Sequence, residues 1–134
     1  TTEAPARLLT EADFAHHTGS ETWTRVGFPA ARYIATDGVI DLATRCGAFW
    51  LLDVIVSYRR RLRFDELYTW AVARTKTNPT GVTVTATLYD KVVVRQFVPF
   101  SDLQRYWDLD SGPVRIWQAP ADERHTCLYL PSEH

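Results

Sequence analysis

His16 and His17, then Glu21 and Asp37, are the first residues whose types could do chemistry. Imidazoles and carboxylates are the usual ligands of zinc and related metals. A histidine can also serve as a general base near neutral pH. The spacing matches no established ligand pattern, however. Adjacent histidines on a helix point about 100° apart, so both rarely reach one ion. The plainer reading ends a helix at His17 and Thr18, leaves Glu21 on the surface and makes Asp37 a cap. Asp53 is the next candidate, because it stands alone in the apolar run from Gly47 to Val56. An unpaired charge there is costly, so Asp53 calls for a partner or a window to solvent. The plainer reading is a structural hydrogen bond to backbone N–H groups of the 18–23 loop.

Arg59, Arg60, Arg61 and Arg63 form a local basic cluster that could hold phosphate or an acidic partner surface. Their plainer role is to close a helix, whose C-terminal end favours cations. Tyr106, Trp107, Trp117 and Tyr129 lie in the less regular C-terminal third, either as an interface anchor or as cover for a sheet. Ser132, Glu133 and His134 are the residue types of a hydrolytic triad. No G-x-S-x-G elbow accompanies them, and termini fray unless tied down. Cys46 and Cys127 sit in no CxxC or Cys/His cluster and read as core thiols.

The elements that must position these groups follow from the apolar pattern. The chain has 134 residues, enough for a single domain with one core. It is 46% hydrophobic and 23% charged, which is ordinary globular usage. A net charge of −1 lacks the basic excess of a general nucleic-acid binder, so a nucleic-acid partner is disfavoured. The apolar run from Gly47 is too short to span a bilayer, so no membrane role is expected. Two separated cysteines suit a reduced, cytoplasmic setting. Residues 1–9 lack the features of a signal peptide and read as a loose leader.

Thr10 with Asp13 looks like a capping box opening a short helix from Glu11 to His17. Trp23–Val26 and Arg32–Ala35 read as short strands. From Gly38 the apolar positions recur at helical spacing, and beyond Cys46 nearly every position is apolar. They predict one long central helix from about Gly38 to Arg61, with Gly47 inside it at a cost of roughly 1 kcal/mol. Segments 67–75, 82–89 and 91–98 alternate as a three-stranded meander, with Asn78–Gly81 as a turn. A short helix follows Ser101, and 114–117 and 126–130 read as further strands. The fold class expected is therefore α+β: one long helix on an antiparallel sheet, with short helices near the N-terminus and in the C-terminal third.

Several segments together carry a resemblance. They are His17–Trp23 (HTGSETW), Thr36–Val39 (TDGV), Gly47–Asp53 (GAFWLLD), Trp70, Pro99–Asp102 (PFSD) and Leu130–His134 (LPSEH). In this order the sequence resembles a family of small bacterial, phage and plasmid proteins known only as a domain of unknown function. It departs from the pattern where members have an aromatic before Thr18 and a Tyr at His134, and Arg105–Arg124 is longer. The resemblance implies one domain and no mechanism. Occurrence on mobile elements implies, by analogy, an interaction or counter-defence role.

The first expectation for function is thus a non-enzymatic module that binds an unidentified protein or a second copy of itself, without a cofactor. Its binding residues would be Tyr106, Trp107, Trp117 and Tyr129 with Arg59, Arg60, Arg61 and Arg63. The alternatives are a small metal-assisted hydrolase using His17, Glu21, Asp37 and Asp53, and a nucleic-acid accessory protein acting through Arg59–Arg63.

Overall fold

The computed structural model describes residues 7–134. Its strands are β1 (Trp23–Val26), β2 (Tyr33–Thr36), β3 (Tyr68–Arg74), β4 (Val82–Leu88), β5 (Lys91–Val98), β6 (Val114–Pro120) and β7 (Thr126–Tyr129). They form one seven-stranded sheet in the order β1-β2-β7-β6-β3-β4-β5. Every neighbouring pair is antiparallel except β2 and β7, which run parallel, Tyr33 opposite Thr126.

The expected single helix on a meander is overturned on two counts. The helical stretch is two short helices, α1 (Asp37–Cys46) and α2 (Phe49–Ser57). Gly47 is the reason: it takes φ +58°, a left-handed conformation that closes α1, and its N–H donates to the Ala43 carbonyl. The apolar run beyond it then starts a second helix. The meander β3-β4-β5, for its part, is only one end of a larger mixed sheet. The strands before the helices and after residue 114 build the rest. Parallel pairing of β2 with β7 needs a long crossover, and α1, α2 and the meander all lie within it.

Along β3, β4 and β6, Tyr68, Trp70, Val72, Val82, Val84, Ala86, Val114, Ile116 and Gln118 are buried on one face. The helices cover that face. Tyr58, just past α2, packs its ring against Trp70 and donates its O–H to Gln96 Oε1 at 2.7 Å. Leu51, Leu52, Ile55 and Val56 of α2 join the same buried cluster. The alternate residues Ile34, Thr69, Trp117, Ala119, Cys127 and Tyr129 belong to the opposite face and are half-buried.

The short N-terminal helix expected over 11–17 is a single 3-10 turn, Glu11–Phe14, whose Asp13 carboxylate accepts the Thr10 N–H at 2.8 Å. The helix expected after Ser101 is likewise a 3-10 turn, Asp102–Arg105. Residues 1–6 of the expected leader lie outside the described residues. Leu9, its last residue, is not loose: it is buried and its backbone bonds to Tyr106 and Asp108. Among the described residues no helix is long and apolar enough to cross a membrane.

Candidate functional site

Three segments far apart in the chain meet beside β7, where the sheet's second face is uncovered. Ser20 and Trp23 come from the loop before β1 and its first residue, Thr36 ends β2, and Glu133 and His134 follow β7. With Cys127, Tyr129 and the Ala119–Ala121 stretch they enclose a concavity of about 280 Å³. Its wall is mainly apolar, and Trp23 on the rim is 54% exposed.

Each wall residue is held by a local cause. Thr36 caps α1, its Oγ1 accepting the Val39 N–H, while its own O–H donates to Glu133 Oε1 at 2.6 Å. The same Glu133 oxygen accepts the Leu130 N–H at 2.9 Å, which folds the last residues into a 3-10 turn, Pro131–Glu133. Gly38 makes this approach feasible: a Cβ there would lie 2.7 Å from Glu133 Oε1. The carboxylate thus sits against the first turn of α1, where negative charge is favoured. Asp37 anchors the opposite wall, its Oδ1 accepting the Thr22 hydroxyl at 2.6 Å and its N–H donating to Ser20 Oγ at 3.0 Å. The Thr22 hydroxyl above all, with backbone N–H groups of the same loop, holds the Asp37 carboxyl below its ordinary value. His134 stacks on Tyr129, takes part in a 3.1 Å bond with its hydroxyl, and meets Trp117 edge-on.

The second Glu133 oxygen and the Trp117 indole N–H are buried without a partner among the described residues. Buried polar atoms are nearly always bonded. Glu133 lines the pocket and Trp117 lies behind it, against the His134 ring. Burial pushes the Cys127 thiol up to about 11, with Glu133 acting in the same direction. That makes Cys127 a wall residue, since a nucleophilic thiol needs the opposite shift. Ser132 Oγ donates to the Phe14 carbonyl, and Glu133 accepts from Thr36 and Leu130 and from neither Ser132 nor His134, so these Ser-Glu-His types form no relay.

The residues singled out from sequence scatter. Tyr129 lines the pocket and Trp117 backs it, whereas Trp107 is buried, stacked on Phe14 and donating its indole N–H to Gly112. Tyr106 packs against the core. Asp53 is exposed, on the wet stripe of α2 with Phe49 and Ser57, and makes no bond to the 18–23 loop. Glu21 is exposed as well. Arg59 to Arg63 lie beyond the end of α2 rather than in its last turn. Arg59 stacks over Phe28, Arg61 over Tyr58, Arg63 pairs with Asp65, and Arg60 is exposed.

His17 does not meet Glu21 or Asp37. Its Nε2 lies 3.0 Å from Asp41 Oδ2 on α1, and one ligand atom each from His16, His17 and Asp41 fall within 4.8 Å of one another. The 3-10 turn ends at Phe14, so the helical offset between neighbours does not apply and the two rings lie tilted against each other, 4.2 Å between centroids. Asp41 was missed because only the fold brings α1 beside residue 17. Ser20, Trp23, Thr36, Cys127 and Glu133 were missed as pocket residues for the same reason.

The model of the Family of unknown function (DUF6876) matches residues 8–134, and the chain belongs to that family. No curated protein and no solved structure matches the chain.

Proposed function

We propose that this protein is a non-enzymatic interaction module, and that the pocket between Trp23, Tyr129 and His134 receives an apolar or aromatic side chain of a protein partner. The observation that carries the reading is the open apolar concavity on the uncovered sheet face, walled by Trp23, Tyr129 and His134 with Ser20, Thr36 and Glu133 among them. Interface hot spots take this form: an aromatic wall with a few convergent polar groups. The reading moves the site from Tyr106, Trp107 and the arginines to Trp23, Tyr129 and the last residues. It sets the protein in the cytoplasm, where its free thiols Cys46 and Cys127 persist. It extends, by the likeness to phage and plasmid proteins, to an inhibitor or counter-defence accessory.

The test is a tagged pull-down comparing wild type with Trp23→Ala, Tyr129→Ala and a control, Phe100→Ala, on an exposed residue away from the pocket. A partner retained by the control and lost with both pocket variants supports the reading. A partner retained by all three overturns it.

A second reading, metal-assisted hydrolysis, is favoured by the His16–His17–Asp41 cluster. Three protein ligands with an open position are the usual catalytic arrangement for zinc. Asp41 would replace Glu21, Asp37 and Asp53 in that role. Ester or phosphoester hydrolysis that needs added zinc and vanishes in Asp41→Asn would favour it over the binding module.

A further inference from the structure

Away from the aromatic pocket, at the end of the sheet where β1, β2 and β7 meet the turn after α2, guanidinium groups converge. Two adjoining concavities, of about 180 and about 420 Å³, share Arg32 and Arg124 as a common wall. Arg59 and Arg63 line the first, and Arg25 and His125 the second. Five of the chain's 15 Lys and Arg thus border this adjoining pair. Among the described residues, Arg25, Arg32, Arg59 and Arg124 have no carboxylate within ion-pair distance, while Arg63 pairs with exposed Asp65.

The nearby acids do not neutralise the group. Asp122 is engaged by its own loop, accepting from the Arg124 and His125 N–H groups and lying 3.1 Å from His125 Nδ1. Glu123 is exposed on the same loop. Like charges gathered at a surface repel at short range, so this arrangement favours the arrival of an anion.

The floor of the smaller hollow is a built one. Tyr33, Gln118 and Thr126 line it and are each more than nine-tenths buried. Gln118 is oriented from behind: its Oε1 accepts the Trp70 indole N–H at 2.9 Å and its Nε2 donates to the Tyr33 hydroxyl at 3.2 Å. The Tyr33 oxygen therefore accepts from Gln118 and keeps its own proton to donate. Burial pushes its phenol up to about 12, so that proton stays in place at neutral pH. Arg59 is fixed by its stack on Phe28 at 4.3 Å. Arg32 is fixed through its backbone, which takes φ +56° and accepts the Thr126 N–H at 3.0 Å.

We propose that this hollow is a binding site for a small phosphate-bearing ligand with two or more negative charges. Planar guanidinium forks match phosphate oxygens in pairs, and several forks exceed what a single carboxylate needs. The small size of the hollow, floored by a hydroxyl donor, favours a compact anion over a nucleic-acid backbone, which would track an extended groove.

Isothermal titration with inorganic pyrophosphate tests this, on wild type and on Arg124→Glu, Arg25→Glu, Tyr33→Phe and Arg95→Glu. Arg95 is exposed on β5, at the opposite edge of the sheet. The expected result is saturable 1:1 binding, weakened at least about tenfold by Arg124→Glu and by Arg25→Glu, and several-fold by Tyr33→Phe. Arg95→Glu should leave it unchanged. Circular dichroism of each variant shows that the loss is not unfolding. Absence of saturable binding overturns the proposal, and so does binding that survives both site variants or falls equally with Arg95→Glu. Binding of a single-stranded oligonucleotide without pyrophosphate overturns it too.

Discussion

Replacing Gly38 with alanine should destabilise the protein, although helix propensity alone argues for the opposite. Gly38 lies in the first turn of α1, where alanine gains up to about 1 kcal/mol over glycine. The added Cβ, however, would stand 2.7 Å from Glu133 Oε1, 2.8 Å from its Cδ and 2.9 Å from Leu130 Cδ1. The Leu130 methyl can rotate away, but the Glu133 carboxylate is held in place by the Thr36 O–H and the Leu130 N–H. Displacing it breaks both bonds. Hydrogen bonds to a charged group contribute about 1.5–3 kcal/mol each, and because Glu133 is only half-buried, water recovers part of that. A gross loss of about 2–3 kcal/mol, set against the propensity gain, leaves a net destabilisation of about 1–2 kcal/mol. For a chain of this size that lowers Tm by about 4–8 °C. Urea unfolding followed by tryptophan fluorescence, together with a thermal melt, measures it. The same substitution in a Glu133→Ala background meets no carboxylate, so it should be neutral or stabilising there. A Gly38→Ala protein as stable as wild type, or an equal loss in both backgrounds, would refute the placement of Glu133.

Trp107→Ala should cost about 3–5 kcal/mol, as for other large buried aromatics, and Trp117→Ala distinctly less; equal costs in urea unfolding would contradict their assigned burial. Both cysteines are pushed up to about 11 from 9.0, so at pH 8 a thiol reagent such as DTNB should label the native protein about 100-fold more slowly than the unfolded chain. Rapid labelling of one equivalent would show that Cys127 is not the wall residue described. The folded state holds the Tyr33 proton more tightly than the unfolded chain, with a pKa of about 12 against 10.0. Its contribution to stability is therefore complete below pH 10 and lost as pH rises from 10 to about 12. Tyr33→Phe should remove that part of the alkaline decline, read from urea midpoints across the range.

Local signals in the sequence fared unevenly. Alternation placed the strands of the meander and their inward faces within a residue or two, because period-two patterning reports a half-buried sheet directly. The run after Cys46 misleads because an apolar stretch reads as covered on most sides, and one stripe of it is wet. Phe49, Asp53 and Ser57 share one exposed stripe, and the lone charge marks that stripe instead of seeking a buried partner. Gly47 was visible as a weak point, but only its left-handed backbone turns a weak point into a break between two helices. The parallel pairing of β2 with β7 spans some 90 residues and leaves no local trace. The pocket depends on that pairing, which brings Thr36 and Glu133 together. Individually Thr36 reads as part of the TDGV segment and Glu133 as one of the residue types of a triad.

The central claim, that the pocket bordered by Trp23 is where a protein partner docks, is tested most directly by site-specific photo-crosslinking. Benzoylphenylalanine placed at position 23, and at position 100 as control, is irradiated in cells that express the protein. A discrete crosslinked product is expected from position 23, absent from position 100 and lost when Tyr129→Ala is added. Equal crosslinking from both positions, or a position-23 product indifferent to Tyr129, would contradict it.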